Sequence, residues 1–163
     1  MANLDQPQGF RPKGDVRRLN EYVAAGAIYP GDAVSQEAGG RVAAASATAA
    51  LCGVAATYAA AAGDAVMVWD DPDQLFIVQA DDATIDAQTD IGLNYDILAT
   101  AGDATYRVSR MEVDASTQAT TATLPLKLLA IEKRPDNALG GFVDVIVKIN
   151  NHQLDGGTGT AGV

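Results

Sequence analysis

Few residues in this chain have the type or spacing for covalent chemistry. A nucleophilic site needs a hydroxyl or thiol with a base in hydrogen-bond reach. The sole histidine is His152, in Asn150-Asn151-His152-Gln153, just ahead of a glycine-rich end. A catalytic base has to be held rigidly, and this setting predicts an exposed polar residue instead. The sole cysteine, Cys52, sits in Leu51-Cys52-Gly53-Val54. That apolar context predicts a small buried side chain rather than a reactive thiol, and a single cysteine excludes an internal disulfide. Histidine-rich zinc chemistry lacks ligands.

Oxygen ligands are more plentiful. Asp70, Asp71 and Asp73, with Asp81 and Asp82, have the chemistry to bind Ca²⁺. Pro72 interrupts the run and no bidentate Glu follows, so the spacing departs from a helix–loop–helix calcium loop. The favoured reading is a tight turn with solvated acids. Paired acids for glycoside hydrolysis exist by number, yet one Trp and 6% aromatic residues leave little for a sugar platform. No glycine-rich phosphate loop occurs. These observations predict no enzyme, no cofactor and no metal.

Charge narrows the partners. The net charge of −10 argues against direct binding to a phosphate backbone, which needs Lys and Arg to displace counterions. Its placement is uneven. No Lys or Arg lies between Arg41 and Arg107, whereas Asp64, Asp70, Asp71, Asp73, Asp81, Asp82, Asp86, Asp90, Asp96 and Asp103 all do. This is a solubilising face or a patch that docks on a basic partner. Arg11, Lys13, Arg17 and Arg18 instead cluster near the start. No apolar run approaches the ~20 residues that span a bilayer, and the first residues lack a basic-then-apolar signal pattern.

The elements that must position these residues read as short strands. Residues 1–20, punctuated by Pro7, Gly9, Pro12 and Gly14, predict an extended N-terminal arm without regular structure. It is either a frayed terminus or an arm laid over a neighbouring subunit. Residues 21–155 predict a small β-barrel or sandwich of short antiparallel strands, and 156–163 a flexible Gly/Thr-rich tail. Val66–Trp69 and Leu75–Gln79 flank the acidic turn as strands. Ile91, Leu93, Tyr95 and Ile97 alternate with polar positions, the period of a half-buried strand. Further strands are expected at Arg107–Val113, Leu124–Ile131 and Phe142–Ile149, with 115–123 a polar connector. The alanine-rich stretch 42–63 has no charged face for a helix, and predicts a loop followed by a strand at Leu51–Tyr58. At 48% apolar residues, many of them alanine, the core is thin, so docking on a partner adds to stability.

Several segments, in order, resemble a known family. The opening Met1-Ala2-Asn3-Leu4-Asp5-Gln6-Pro7-Gln8-Gly9-Phe10-Arg11-Pro12 is similar to that of a group of tailed-bacteriophage structural proteins. The likeness continues through Tyr29-Pro30-Gly31-Asp32-Ala33-Val34, Asp71-Pro72-Asp73-Gln74-Leu75-Phe76-Ile77-Val78-Gln79 and Asp90-Ile91-Gly92-Leu93-Asn94. It then runs through Thr120-Thr121-Ala122-Thr123-Leu124-Pro125-Leu126, Arg134-Pro135-Asp136-Asn137 and Val147-Lys148-Ile149-Asn150-Asn151-His152-Gln153-Leu154. Residues 41–63 carry little of it.

The resemblance implies a capsid decoration (cement, head-stabilising) protein. Such a protein is made in the bacterial cytoplasm, binds the major capsid protein on the outer head surface and forms homotrimers at three-fold positions. Phe10, Arg11, Arg17 and Arg18 are the expected capsid contacts, and removing residues 2–18 is expected to leave the body folded. The alternatives are another virion part, at a fibre base or head–tail junction, and an acid-based glycan-active enzyme.

Overall fold

The computed structural model describes residues 3–82 and 85–163; Met1 and Ala2 of the expected arm lie outside them. In chain order the strands are β1 (Arg11–Lys13), β2 (Asn20–Val23), β3 (Ala33–Gln36), β4 (Val42–Ala44), β5 (Gly53–Ala55) and β6 (Ala65–Trp69). They continue with β7 (Leu75–Gln79), β8 (Asn94–Leu98), β9 (Glu112–Ala119), β10 (Leu126–Ile131) and β11 (Asp144–Ile149). A short 3-10 turn spans Gln88–Asp90. The strands form a six-stranded sheet, β1-β7-β11-β10-β8-β9, and a five-stranded sheet, β2-β6-β5-β3-β4, with every pairing antiparallel. Of the two expected architectures this is the sandwich; the sheets do not close into a barrel.

Alternation along the strands builds the main core. Phe76 and Val78 of β7, Val145, Val147 and Ile149 of β11, Leu126 and Leu128 of β10, and Tyr95 and Ile97 of β8 all bury one face of the larger sheet. Ala33 and Val54 meet them from the smaller sheet. Neighbouring residues on a strand point to opposite faces, so Val34 and Ala55 point away from this core. They enter a second cluster with Val42, Cys52, Val66, Val68, Ala24, Ile28 and Ala59. Strands β3 and β5 of the smaller sheet are therefore buried on both sides. This sheet curls over its own small core, and its two outer strands approach at one end, where Ala24 bridges Val42.

Alanine suits this curl because a tight bend leaves room for little more than a methyl group. Gly53 marks the limit: a Cβ there would lie 2.2 Å from the Trp69 carbonyl oxygen, at a φ of +157°. The expected strand at Leu51–Tyr58 shortens to β5, and Leu51 instead bridges His152.

Three further expectations change. The segment read as a polar connector, 115–123, contributes most of β9, and the strand expected at Arg107–Val113 begins only at Glu112. The polar side chains there repair a bulge opposite β8. The Thr117 hydroxyl accepts the Asp96 N–H (2.8 Å) in place of a main-chain carbonyl, and Asp114 accepts from the Ser116 N–H (3.1 Å).

The C-terminal tail, read as flexible, is laid against the larger sheet. The Gly162 N–H donates to the Thr120 carbonyl and the Val163 N–H to the Gly92 carbonyl, and Lys127 Nζ donates to the Thr160 hydroxyl. Small residues permit the close approach.

The N-terminal segment, read as an irregular arm, contains β1, paired with β7 from Arg11↔Ile77 to Lys13↔Leu75. Phe10 is 1% exposed and stands edge-on to Phe76, ring centroids 6.3 Å apart. This segment belongs to the fold. Removing residues 2–18 is accordingly expected to unfold the chain, and Phe10→Ala to cost about 3–5 kcal/mol, measured by urea denaturation.

Candidate functional site

Residues 3–10 lie as a strap across the ends of β7 and β11. Asn3 Nδ2 donates to the carbonyls of Ala138 (2.8 Å) and Gly141 (3.0 Å), and Asn3 Oδ1 accepts the Ala138 N–H (3.1 Å). Gln79 holds the strap from below: its Oε1 accepts the Gln6 N–H (2.9 Å) and its Nε2 donates to the Leu4 carbonyl (2.8 Å). Gly9 passes so close to the body, at φ +69°, that a Cβ would meet Ser109 Cβ at 2.4 Å. The strap roofs a cavity of about 180 Å³ lined by Gln6, Gln8, Arg11, Gln79, Arg134 and Asp144 among others.

The four residues expected to touch a capsid separate by environment. Phe10 is a core residue, which corrects its reading as a surface contact: the strap turns inward at Gly9 and drives the ring against Phe76. Arg11 points at buried Asp144, Nη2 to Oδ2 3.6 Å, beside Arg134 at 2.8 Å from the same oxygen. Arg18 joins Asp70, Nε to Oδ1 3.3 Å. Arg17 is exposed and makes no ion pair within 4 Å among the described residues; its charge helps hold the Asp73 carboxyl below the ordinary range, after Lys148, whose hydrogen bond and charge act most strongly.

Asp70 was expected in a solvated turn, and the structure places it at 1% exposure. Asn20 Nδ2 (2.9 and 2.8 Å) and the Tyr22 hydroxyl (2.8 Å) donate to it, with Arg18 supplying the countercharge. A buried carboxylate requires such donors. The signal in the sequence is the alternation Arg18, Asn20, Tyr22, three donors on one face of a strand. Burial, and next the hydrogen bond to Asp70, push the Tyr22 phenol above its ordinary range. Asp73 remains in the turn, paired with Lys148 at 2.9 Å.

His152 also differs from expectation, being 2% exposed. Its Nδ1 accepts the Leu154 N–H (3.1 Å), which makes Nε2 the protonated nitrogen, and Nε2 has no partner among the described residues. Burial lowers its pKa, so the ring stays neutral. Cys52 is fully buried and its thiol is pushed up to about 12, first by burial and then by the Asp70 charge. Among the described residues no three His, Cys, Asp or Glu side chains gather as a metal site. No helix there is long and apolar enough to cross a membrane.

Glu112 carries a shift that sequence reading missed. It is 8% exposed on the floor of an open groove lined also by Asp5, Gln8, Asp103 and Tyr106. Burial raises its pKa to about 7, with the charges of Asp5, on the strap, and Asp81 adding to the shift. Nothing local in Met111-Glu112-Val113 signals this, because the strap arrives from the far end of the chain.

No family model, no curated protein and no solved structure matches this chain.

Glu112 gives the strap a pH dependence. The folded pKa lies above the ordinary value of 4.5, so the native state holds the proton more tightly. The stability it contributes is complete below pH 4.5 and is lost as the pH rises to about 7. Glu112→Gln is expected to flatten this loss and to raise Tm at pH 8 by about 2–4 °C, measured by thermal unfolding at pH 4.5, 6 and 8.

Proposed function

We propose that the chain is a non-enzymatic capsid decoration protein of a tailed bacteriophage, bound to the outer face of the icosahedral head where it braces neighbouring major capsid proteins. The observation that carries this reading is the ordered series of segments similar to that family, spread over most of the chain.

Those segments supply much of the bracing of the larger sheet. The opening supplies the strap and β1, and Asp71–Gln79 the turn and β7. Arg134–Asn137 lies between β10 and β11, where Asn137 Nδ2 donates to the carbonyls of Glu132 (2.7 Å) and Asp144 (2.8 Å). Past β11, Asn150 Nδ2 donates to the carbonyls of Ala122 and Leu124, each at 3.0 Å. Side-chain amides that satisfy main-chain groups specify one rigid shape. A rigid body suits a part that stabilises a shell by binding it in preference to its separated pieces. On this reading the protein is a homotrimer on three-fold positions, where closed symmetry limits assembly.

Cryo-electron microscopy of the particle carrying this protein tests the proposal. Density on the outer head lattice is the expected result. Density confined to a fibre base or the head–tail junction moves the protein to another structural role, and absence from the particle overturns the reading.

A further inference from the structure

Sheet edges are surfaces that pair with other chains unless they are covered or interrupted, and three of the four here are. β1 is three residues long and carries Pro12, which has no N–H. β9 is met at Val113 by Ala80 and the Asp81 N–H, its Ala115 N–H is taken by Asp81 Oδ1, and the tail covers Thr120. β4 is met at Val42 by Ala24 and the Ala25 N–H.

The outer edge of β2 has no such cover. The Ala24 N–H turns inward to the Asp64 carbonyl beside β6, whereas the Ala25 N–H turns outward to Val42. By the pleat, the amides and carbonyls of Leu19, Glu21 and Val23 also face outward. Among the described residues they have no main-chain partner on that side. The side chains of Arg18, Asn20 and Tyr22 all turn to Asp70, so the alternation extends back beyond the strand's first residue. The opposite row is Arg17, Leu19, Glu21 and Val23, with Leu19 46% and Val23 44% exposed.

We propose that this edge pairs antiparallel with the same edge of a second copy of the chain, about a two-fold axis at Leu19. In that register Leu19 lies opposite Leu19 of the second copy, and Arg17 lies opposite Glu21 in both directions. Each copy supplies one cation and one anion to two cross-strand ion pairs, and the main-chain groups of Leu19 and Glu21 face outward to meet the second copy. Other registers lose this match. A shift in one direction sets Glu21 against Glu21, and in the other Arg17 against Arg17. The intermediate registers set Leu19 opposite Glu21, or Arg17 opposite Leu19. Like charges directly opposite destabilise a pair of strands. A two-fold contact is self-complementary and closes with two copies, which hides the exposed Leu19 without open-ended growth. The inference rests on the edge alone and concerns the free chain in solution, whereas the trimer of the capsid reading forms on the head.

Sedimentation equilibrium of the purified full chain and its variants tests it. The wild type is expected to form a dimer. Arg17→Glu and Glu21→Arg are each expected to weaken self-association about tenfold or more, because each removes both ion pairs and opposes like charges. Combining them restores the dimer. All four side chains of this row lie outside both cores, and unchanged circular dichroism verifies folding. Mild oxidation of Leu19→Cys is expected to yield a disulfide-linked dimer, Cys52 being buried. A wild-type monomer, a trimer that ignores these substitutions, or a double variant as weak as the single ones overturns the proposal.

Discussion

Because β3 and β5 carry buried side chains on both faces, they have no solvated side on which to place charge, and little room on either. Most strands of a sandwich face water on one side and alternate accordingly. Here the smaller sheet separates a large core, built chiefly from the six-stranded sheet, from a small one enclosed by its own curl. That constraint selects Ala33 and Val34 in β3, Val54 and Ala55 in β5 with Cys52 just before it, and a glycine where β5 passes β6. It also accounts for the uncharged run from Leu51 to Ala55, every residue of which is buried, at the centre of the uncharged stretch between Val42 and Gly63.

A core of small side chains gains little from each residue, and buried polar pairings specify where the pieces join. Asp70 fixes the entry into β2 to the end of β6 through Arg18, Asn20 and Tyr22. Asp144 gathers Arg11 and Arg134 at the start of β11. A lone charge in either place would be strongly unfavourable, so each carboxylate tolerates only the arrangement that brings its partners. The same logic makes Gln79 and Asn137 architectural: the Gln79 amide reaches Leu4 from the far end of the chain, and the Asn137 amide clamps Glu132 and Asp144 across the connection between β10 and β11.

The N-terminal segment unites these themes. Its first part is fastened by amides, its middle pairs as β1 and plugs the core with Phe10, and its last part runs exposed into the uncovered edge of β2. Attachment and exposure thus alternate along one stretch of chain. Arg17 is the cation of this stretch left without an ion pair among the described residues, and it lies on the exposed row. For a protein whose proposed work is to bind other subunits, fixed geometry beside an open edge is a workable arrangement, since little entropy is lost on pairing a strand that is already extended.

Strand periodicity is a local property, so the all-β class and the positions of the strongest strands were legible from the residues alone. β7 is found where Leu75–Gln79 predicts it, and β6, β10 and β11 begin or end within two residues of expectation. The buried character of Cys52 was legible for the same reason. The sandwich rather than the barrel, and the second core, were decided only by the tertiary structure. So were the burial of His152 and Asp70, the raised pKa of Glu112 and the inward turn of Phe10. Each depends on which distant segment arrives beside the residue, and no window of neighbouring residues contains that information. The polar run in β9 shows the physical reason most clearly. Its hydroxyls and carboxylate replace main-chain partners across a bulge, so residues that look like a loop in isolation serve as a strand once β8 lies alongside.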